Sequence, residues 1–443
     1  MRTRIDHILL TPGAVGEKHI PFVTDAELHI DGNRIVYAGT REGAPPFEAD
    51  THIDGKGCLA MPGLINMHTH TSMTLMRSVG TGLRLHDWLH QAIYPLEAHY
   101  DYEITRAGAD LGVMEMLRYG TTCFCDMYMN MDAVLDSVCD SGMRATLSYC
   151  SIDLDGTCSD FPPAIDFVEK CRARACERVR PAVAPHAENS TTPKLMREIV
   201  AYSRREGVPV HVHVSETKAD VDGCMKRHGM TPPAYLESMG VLDCDVIAAH
   251  CVWVTDEDIQ IFKRHGTTLV HNPVSNLKLA SGIAPVAKML DAGCRVTLGT
   301  DGVASNDNLN LWEEIKLMPL LQSGTALDPT LIAPAQVLAC ATINAAKGLG
   351  YDDLGLLLPG YLADLILVDV SGPSMTPHND LETSLIYAAN GGDVRMTMAD
   401  GRVLYQDGRY LTLRPERVLS RAREAIASLR ERAKAKAGNQ AQK

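Results

Sequence analysis

Short apolar runs recur through the middle of the chain, separated by stretches with helical periodicity. Each run is nearly continuous in hydrophobic residues, which is typical of parallel strands buried on both faces. Eight strands alternating with helices over about 250–300 residues indicate a (β/α)₈ barrel of the TIM type. The eight runs are Leu64–Met67, Thr121–Asp126, Ala145–Tyr149, Pro181–Pro185, Pro209–Val214, Val246–Ala249, Thr267–His271 and Arg295–Gly299.

The two ends of the chain have a different pattern, in which short strands are joined by tight turns. Asp31-Gly32-Asn33 and Asp54-Gly55-Lys56-Gly57 are turn signals before residue 60, and strand patterns return after residue 355. Neither end can build a sheet core alone, so we expect both to form one small β-sandwich domain beside the barrel. The predicted organisation is 1–60 and 356–413 for the two parts of the sandwich, 61–355 for the barrel, and 414–443 for a surface helix with a fraying end.

Composition and charge limit the classes of function. The 443 residues include 55 acids and 42 bases, and the net charge of −13 disfavours a nucleic-acid partner. No apolar segment of about 18 residues could span a bilayer, and the N-terminus lacks the apolar core of a signal peptide. Thirteen cysteines without a Cys-x-x-Cys pair are not typical of a disulfide framework. We therefore expect a cytoplasmic protein that binds neither nucleic acid nor membrane.

Histidines and acids stand at the ends of most predicted barrel strands, the edge at which barrel enzymes place their active sites. His68 and His70 are two residues apart, so both leave the same face of a strand. Other strand ends carry His186, His213, Glu216, His250, His271 and Asp301. One histidine in a turn means little, but a set that converges on one rim predicts a metal site.

Nitrogen and oxygen donors together can hold one divalent cation and leave a position for water. The predicted metal ligands are His68, His70, His213 and Asp301. Strand four ends in His186 with no lysine that could bridge two ions, which favours a single metal. Zn²⁺ is the preferred ion, with Fe²⁺ and Mn²⁺ as alternatives.

The remaining polar residues have predicted roles in proton transfer. A metal lowers the pKa of bound water, and Asp301 can accept the proton of that water. Glu216 follows a ligand strand and is placed to carry a proton to the substrate, with His250 hydrogen-bonded to the reacting group. His211 lies deeper on the same face and is expected behind the ligands or in the core, while His271 is either a core histidine or a substrate contact.

Several segments together resemble the amidohydrolase superfamily: Pro62–His70, His213–Glu216, His250-Cys251, Gly299–Gly302 and Pro359–Leu365. Within it the chain is similar to the 5′-methylthioadenosine/S-adenosylhomocysteine deaminases, over about residues 1–415. The segments that carry this closer likeness are Ser72–Arg77, Trp88-Leu89, Tyr94–Glu97, Asn272–Gly282 and Asp301–Asn306.

The resemblance implies a metal-dependent hydrolytic deaminase. In such a reaction a metal-bound hydroxide attacks C6 of an adenine ring, ammonia leaves, and the inosine analogue forms. By position, Glu97 would bind the ribose hydroxyls, His186 would contact the nucleoside, and Trp88 would wall the pocket. Glu216 and Ser305 complete the expected substrate contacts. Relatives are commonly oligomers, so the resemblance also implies a homo-oligomer that acts on a small nucleoside.

Two departures from the family pattern concern the 5′-substituent of the substrate. Family members usually carry a proline and an aromatic residue after the strand-four histidine, where this chain has Ala187-Glu188-Asn189. They also tend to carry an arginine after strand three, whereas Ser148–Ser151 has none and Arg144 precedes that strand. The carboxylate of S-adenosylhomocysteine would favour such an arginine. The sequence favours an adenosine-type nucleoside but leaves adenosine, 5′-deoxyadenosine, 5′-methylthioadenosine and S-adenosylhomocysteine open.

Other functions share parts of this pattern. Another amidohydrolase, a deaminase or chlorohydrolase of a triazine, guanine, pyrimidine or pterin ring, would keep the same metal ligands. A degenerate barrel that serves as a binding subunit is disfavoured, because the ligands and Glu216 are all present. His186-Ala187-Glu188 matches part of the cytidine-deaminase signature, but the Pro-Cys-x-x-Cys that completes that zinc site is absent. A nucleotide-dependent enzyme is disfavoured because the chain has no phosphate-binding loop of the Gly-x-x-x-x-Gly-Lys type.

Overall fold

The computed structural model describes residues 1–14, 16 and 18–441. Its strands are β1 (Arg2–Leu10), β2 (Val23–Asp31), β3 (Arg34–Thr40), β4 (Thr51–Asp54), β5 (Cys58–Pro62), β6 (Leu64–Thr69), β7 (Thr121–Tyr128), β8 (Arg144–Ser151), β9 (Val179–Pro185), β10 (Val210–Val214), β11 (Val246–His250), β12 (Thr268–His271), β13 (Arg295–Leu298), β14 (Leu365–Asp369), β15 (Val394–Ala399), β16 (Arg402–Gln406) and β17 (Arg409–Tyr410).

The α-helices are α1 (Leu85–Asp87), α2 (Tyr94–Glu97), α3 (Tyr102–Arg118), α4 (Met131–Ser141), α5 (Phe161–Ala173), α6 (Pro193–Glu206), α7 (Lys218–His228), α8 (Pro232–Ser238), α9 (Asp256–His265), α10 (Pro273–Lys278), α11 (Val286–Asp291), α12 (Val303–Asn306), α13 (Leu311–Ala326), α14 (Pro334–Ala341), α15 (Ile343–Gly348), α16 (Leu381–Tyr387) and α17 (Pro415–Ala441). Short 3₁₀ segments lie at Thr71–Met76, Glu188–Ser190, Val241–Asp243 and Gly391–Asp393, and a π-helical turn lies at Trp88–Ile93. Among these described helices, none combines the length and the apolar character that crossing a membrane requires.

Strands β6 to β13 form a parallel sheet in sequence order that curls into a nearly closed barrel. Its two outermost strands are joined across the seam. The backbone N–H of Asp301 donates to the carbonyl of His68 at 2.9 Å, and the Asn66 side chain binds Thr300 at 2.7 and 3.0 Å. Each barrel strand overlaps one of the eight apolar runs. The predicted (β/α)₈ barrel is confirmed.

The helices of the barrel begin and end at residues that fix their termini. At the start of α9 the Asp258 N–H donates to the Thr255 hydroxyl at 3.1 Å, and the Thr255 N–H donates back to the Asp258 carboxylate at 2.9 Å. This reciprocal pair is a capping box. The helix ends at Gly266, whose φ of 65° lies in the left-handed region that glycine adopts without strain. Ile259 and Phe262 between these caps are buried, so the amphipathic pattern turns one face of α9 toward the barrel.

Strands from both ends of the chain make one mixed sheet, here called the end sheet, in the order β17-β16-β15-β14-β5-β1-β2-β3 with β4 on β1. The prediction that both ends form a single β unit is confirmed. β5 lies between β1 and β14 and runs through Gly63 directly into β6 of the barrel. A Cβ atom on Gly63 would lie 2.3 Å from the Thr122 side chain, so only glycine fits this junction.

Arg144 connects the end sheet to the barrel. It is the first residue of β8 and donates two hydrogen bonds to Asp364, at 3.0 and 3.1 Å, and one to Asp400 at 3.2 Å. The side chain is 3% exposed, so this guanidinium is buried with two carboxylates as partners. Arg144 therefore lies at the end of the barrel opposite the rim that carries the predicted active site.

The C-terminal helix α17 packs against the barrel helix α3. Leu429 is fully buried and Ala422 nearly so, in a cluster with Leu75 and Ile104. The predicted surface helix is present. The fraying predicted for its end falls in part on residues 442–443, which lie outside the described residues.

Candidate metal centre and active site

Four histidines and one aspartate converge at the carboxyl ends of the barrel strands. The Nε2 atoms of His68 and His70 each lie 3.4 Å from Oδ1 of Asp301. The ring centre of His68 is 4.9 Å from that of His213 and 5.4 Å from that of His250. Two overlapping triads have ligand atoms within 4.8 Å of one another: His68, His70 and His213, and His68, His250 and Asp301. This spacing fits ligands arranged around a single ion.

Each imidazole of the centre has its Nδ1 atom engaged by a neighbour, which leaves Nε2 facing inward. The partners are the Met127 carbonyl for His70, the His186 carbonyl for His213 at 2.8 Å, Asn276 Oδ1 for His250 at 2.9 Å, and His211 Nε2 for His68 at 2.9 Å. A carbonyl only accepts, so the Nδ1 atoms of His70 and His213 carry the proton and their Nε2 atoms present lone pairs. His68 Nε2 is buried without a hydrogen-bond partner in the described part of the chain. This donor set fits a divalent metal.

Burial sets the protonation of these groups. It lowers the pKa of His68 to about 4 and holds the pKa values of His211 and His213 well below the ordinary histidine value. Neutral imidazole is the form that binds a metal. Burial alone would raise the pKa of Asp301, but the approach of His68 and the charges of His70 and His250 keep it well below its usual range. The centre therefore offers neutral nitrogens on His68 and His213 beside the ionised carboxylate of Asp301, whereas the charges of Glu216 and Asp301 outweigh burial and raise the pKa of His250.

Glu216 lies beside the centre, just after β10. Its Oε2 atom is 3.7 Å from Nε2 of His250, and its Oε1 atom is 3.5 Å from the Ser281 hydroxyl. Burial raises the pKa of Glu216 to about 7, partly offset by His250. A carboxyl group with this pKa can both accept and donate a proton near neutral pH.

Three strand ends at this rim have left-handed backbone at residues other than glycine. The φ angles are 50° at Ser215, 73° at His250 and 62° at Asp301. Such angles are uncommon for side chains with a Cβ and concentrate at functional sites, where surrounding contacts hold the strained conformation. The rim that carries Glu216, His250 and Asp301 is therefore built at some cost to local stability.

Ser275 and Asn276 on α10 hold two members of the centre in place. The hydroxyls of Ser275 and Ser305 both donate to Oδ2 of Asp301, at 2.6 and 2.9 Å. Asn276 accepts from His250, as described above. Oδ2 of Asp301 thus accepts two hydroxyl hydrogen bonds, whereas Oδ1 accepts one from the Gly302 backbone N–H at 2.7 Å and faces the histidines. The sequence assigned no separate role to Ser275 or Asn276.

Glu314 on α13 ties together the two segments that contact Asp301. It is fully buried and accepts from the Val274 backbone N–H at 3.1 Å and from the Asn306 side-chain amide at 2.7 Å. Val274 belongs to α10, and Asn306 belongs to α12, which also carries Ser305. Burial raises the pKa of Glu314 well above its usual range. Nothing in the sequence distinguished this acid from a surface residue of the helix.

Glu97, the predicted ribose ligand, is buried rather than solvated. It accepts a hydrogen bond from the Tyr128 hydroxyl at 2.7 Å, and burial raises its pKa against that hydrogen bond. Burial and then the charge of Glu97 raise the pKa values of Tyr94 and Cys150, so both groups lie near it. Within the described residues no lysine or arginine forms an ion pair with Glu97. The carboxylate therefore has acceptor capacity that a hydroxyl-bearing ligand can use.

His186 and Trp88, two other predicted substrate contacts, are each held by a hydrogen bond. The Nδ1 atom of His186 is hydrogen-bonded to the Ser190 hydroxyl at 2.8 Å, and its ring centre is 4.7 Å from that of His213. Trp88 is buried, and its indole N–H donates to the Val79 carbonyl at 3.0 Å, which holds the preceding loop. With Ser305 placed against Asp301, the roles of these three residues as substrate contacts stay predictions.

The segment after strand four, to which no role was assigned from the sequence, is hydrogen-bonded to α7. Glu188 accepts two hydrogen bonds from Arg227, at 3.0 and 2.6 Å, and one from His228 at 2.9 Å. The Asn189 side chain donates to Asp220 at 2.9 Å. These contacts explain both residues as structural partners of a neighbouring helix.

The two histidines whose roles were left open are both buried. His211 contacts His68 from behind, with the ring centres 5.0 Å apart. His271 is 3% exposed, and neither of its ring nitrogens has a hydrogen-bond partner among the described residues. The side-chain amide of Asn272, the next residue, lies 3.3 Å from Nδ1 of His250.

With this geometry established, comparison with known proteins identifies the class. The model of the amidohydrolase family matches residues 59–404, and the chain belongs to that family.

Individual relatives match over most of their length. The chain is 41% identical over 403 residues to the 5′-deoxyadenosine deaminase of Methanothermobacter thermautotrophicus, covering 90% of this chain and 94% of the relative. It is 40% identical over 401 residues to the 5-methylthioadenosine/S-adenosylhomocysteine deaminase of Moorella thermoacetica, covering 90% and 94%. The crystal structure of an adenosine deaminase from Xanthomonas campestris with bound zinc matches with a TM-score of 0.92 and 29% identity, covering 97% of this chain and 98% of that one.

Proposed function

We propose that the chain is a metal-dependent deaminase that hydrolyses the 6-amino group of an adenine nucleoside, giving the inosine analogue and ammonia. The observation that carries the proposal is the pairing of two features at one barrel rim. A nitrogen and oxygen centre with inward lone pairs lies beside Glu216, and a buried acceptor, Glu97, lies near the same histidines. Relatives described as deaminases of adenine nucleosides support the substrate class.

The residues that would hold the metal are His68, His70, His213 and Asp301. Zn²⁺ is the preferred ion, because it suits mixed imidazole and carboxylate donors and is bound in the similar adenosine deaminase. When bound, such an ion acts as a Lewis acid and lowers the pKa of a coordinated water.

The proton transfers are assigned to this chain's own carboxylates. Asp301 would accept a proton at Oδ1, because this oxygen faces the histidines and two serine hydroxyls already donate to Oδ2. Glu216, with a pKa of about 7, can hold a proton at Oε2 and donate it to a ring nitrogen of the purine. His250, fixed by Asn276 at Nδ1, presents Nε2 to the developing oxygen on C6. The proton that Asp301 takes from the attacking water is passed on to the 6-amino group, so the C6–N bond breaks and ammonia leaves, and the remaining hydroxyl proton returns to Glu216.

Glu97 is assigned to the ribose. An ionised carboxylate that lacks a cationic partner accepts hydrogen bonds from two vicinal hydroxyls, and Tyr128 holds one of its oxygens in place. A neutral 5′-group fits the part of the pocket near Glu97 better than a carboxylate does, because Arg144, at the start of the third barrel strand, is bound to Asp364 and Asp400. The substrate is accordingly a small nucleoside.

A cytoplasmic location and a homo-oligomeric state remain predictions. Light scattering tests the oligomeric state.

The test is the loss of adenine ultraviolet absorption with zinc-loaded protein, compared across adenosine, 5′-deoxyadenosine, 5′-methylthioadenosine and S-adenosylhomocysteine. We expect conversion of the three neutral nucleosides, and a kcat/KM for S-adenosylhomocysteine that is lower by about tenfold or more. Protein stripped with a chelator should be inactive and regain activity with metal. Activity on none of the four, in protein that retains its metal, would reject the nucleoside; guanine, triazines and pterins would then be assayed.

A further inference from the structure

A second cluster of metal-binding side chains lies on the end sheet, outside the barrel. Asp6 and His7 are consecutive residues of β1, and Asp54 on the adjacent β4 is the register partner of Asp6. The pairing of β1 with β2 is interrupted between Ile5 and Ile8, and His7 has a φ of 54°. Such a bulge changes the alternation of side chains along a strand, so neighbouring residues can reach the same group. Here Asp6 and His7 both approach Asp54.

The distances within the cluster match those between ligands of one ion. Nδ1 of His7 is 3.0 Å from Oδ1 of Asp54 and 3.4 Å from Oδ1 of Asp6. All three ligand atoms lie within 4.8 Å of one another. Donors bound at about 2.0–2.2 Å to one ion are separated by about 3–4 Å, so a small inward movement would bring all three into coordination.

Asp6 supplies a separate indication that something is bound here. The residue is 3% exposed, yet its Oδ1 atom has no hydrogen-bond partner among the described residues. The other oxygen, Oδ2, is held by Nε2 of His52 at 2.7 Å and lies 3.4 Å from Arg4. Leaving a buried carboxylate oxygen without a partner is costly, whereas orienting a metal-binding carboxylate through its second oxygen is common. Oδ1 points at His7, into the cluster.

The charges around the cluster suit a dication. Arg4 contacts Glu27 at 2.9 and 3.1 Å, so that carboxylate balances its charge. Asp6 and Asp54 then contribute two negative charges beside a histidine. One nitrogen and two oxygen donors favour ions such as Zn²⁺, Co²⁺ or Mn²⁺. His7 and Asp54 are exposed, which leaves the remaining coordination positions to water.

We propose that Asp6, His7 and Asp54 form a second divalent-cation site on the end sheet, in addition to the barrel centre. The site fixes the bulge of β1 to the end of β4 and gives a partner to the buried Oδ1 atom of Asp6. It does not depend on the proposed deaminase activity.

The test uses the full chain with its barrel centre loaded, dialysed to equilibrium against micromolar free Zn²⁺ and analysed for metal per chain by mass spectrometry. We expect two ions in the wild-type protein. His7→Asn removes the imidazole and keeps a residue that tolerates positive φ, and Asp54→Asn removes one charge at constant size. Each variant should retain one ion, with the second bound at least about tenfold more weakly.

A matched control is His86→Asn, which alters an exposed histidine on α1 beside another carboxylate, Asp87, at 3.6 Å. It should keep two ions and so show that the second ion is not bound to surface histidines in general. Zinc should also raise the thermal unfolding temperature of the loaded wild-type protein and not that of Asp54→Asn. One ion in the wild type, or two in both cluster variants, would overturn the proposal. Deaminase activity, measured in parallel, should be the same in all four proteins.

Discussion

The active-site rim has two unlike halves. The histidine half consists of His68, His70, His213, His250 and Asp301, and each of these side chains is held from behind by at least one other group. The Glu97 half consists of Glu97, Tyr128, Tyr94 and Cys150, in which one carboxylate is held by one phenol. The histidine half is therefore preorganised for a single chemistry, whereas the Glu97 half fixes few features of a ligand.

The difference indicates where function can change within such a scaffold. Altering the histidine half disturbs a network of hydrogen bonds whose members support one another. Altering the Glu97 half changes one acceptor and its surroundings. We expect substitutions in the first half to affect turnover and metal binding, and substitutions in the second half to affect recognition.

The largest effect is expected for Glu216→Gln, which removes the proposed proton carrier beside the histidine half. Metal content should stay at the wild-type level, and kcat should fall by about 10²–10⁴-fold. Turnover is measured with adenosine and metal by elemental analysis. Glu237→Gln, which alters a half-buried acid on α8 that pairs with Arg264, serves as the control and should leave both unchanged. Near-normal turnover in Glu216→Gln would remove this residue from the mechanism.

The same substitution has a second, pH-dependent consequence in metal-free protein. Because the pKa of Glu216 is about 7 in the fold and 4.5 ordinarily, folding favours its protonated form. The contribution of Glu216 to stability is therefore lost as pH rises from 4.5 through 7, whereas glutamine, which has no charge, shows no such loss. Relative to wild type, the free energy of unfolding of Glu216→Gln should increase by up to about 3 kcal/mol between pH 4.5 and pH 7. Urea unfolding at several pH values measures the difference in unfolding free energy between the two proteins. A difference that does not change with pH would show that the pKa of Glu216 is not raised in the fold.

A smaller effect is expected from the groups behind the histidine half. Ser275→Ala leaves Oδ2 of Asp301 with only the Ser305 hydroxyl, and the Ser275→Ala/Ser305→Ala pair removes both. Metal affinity should fall by about 10-fold in the single variant and about 100-fold in the pair. Competition with a chromophoric chelator gives the dissociation constants. Ser238→Ala on α8 is the control. Unchanged affinity in the double variant would mean that Asp301 does not need these hydroxyls.

The smallest effect is expected in the Glu97 half, and it should appear in KM. Glu97→Gln keeps the shape and removes the charge, so KM for adenosine should rise about tenfold while kcat stays within about twofold. A nucleoside without the 2′- and 3′-hydroxyls should be affected much less, since it offers nothing for Glu97 to accept. Steady-state kinetics with both substrates distinguishes the outcomes. A drop in kcat with unchanged KM would place Glu97 with the histidine half instead, and Glu103→Gln on the exposed face of α3 is the control.

The sequence predicts the histidine half because strand geometry constrains it. His68 and His70 share a face by the two-residue period, and all parallel strands of a barrel end at one rim. Ser275 and Asn276 could not be assigned in this way, since α10 is a short helix after a strand and no periodicity specifies which residue its polar groups meet. Glu97 lies on a four-residue helix, too short for an amphipathic pattern to reveal that it is buried. The hydrogen bond to Glu97 comes from Tyr128 at the end of strand β7, and only the tertiary structure brings the two residues together.

The position of β5 in the end sheet determines how late in synthesis this sheet can finish folding. This strand continues into the one that bears His68 and His70, and it is flanked by β14, which is made near the end of synthesis. During translation the barrel can collapse early, but β5, which leads into the first barrel strand, has only β1 beside it until β14 emerges. A chain truncated before β14 should therefore be prone to aggregation through an unpaired strand edge, even though every metal ligand is already present.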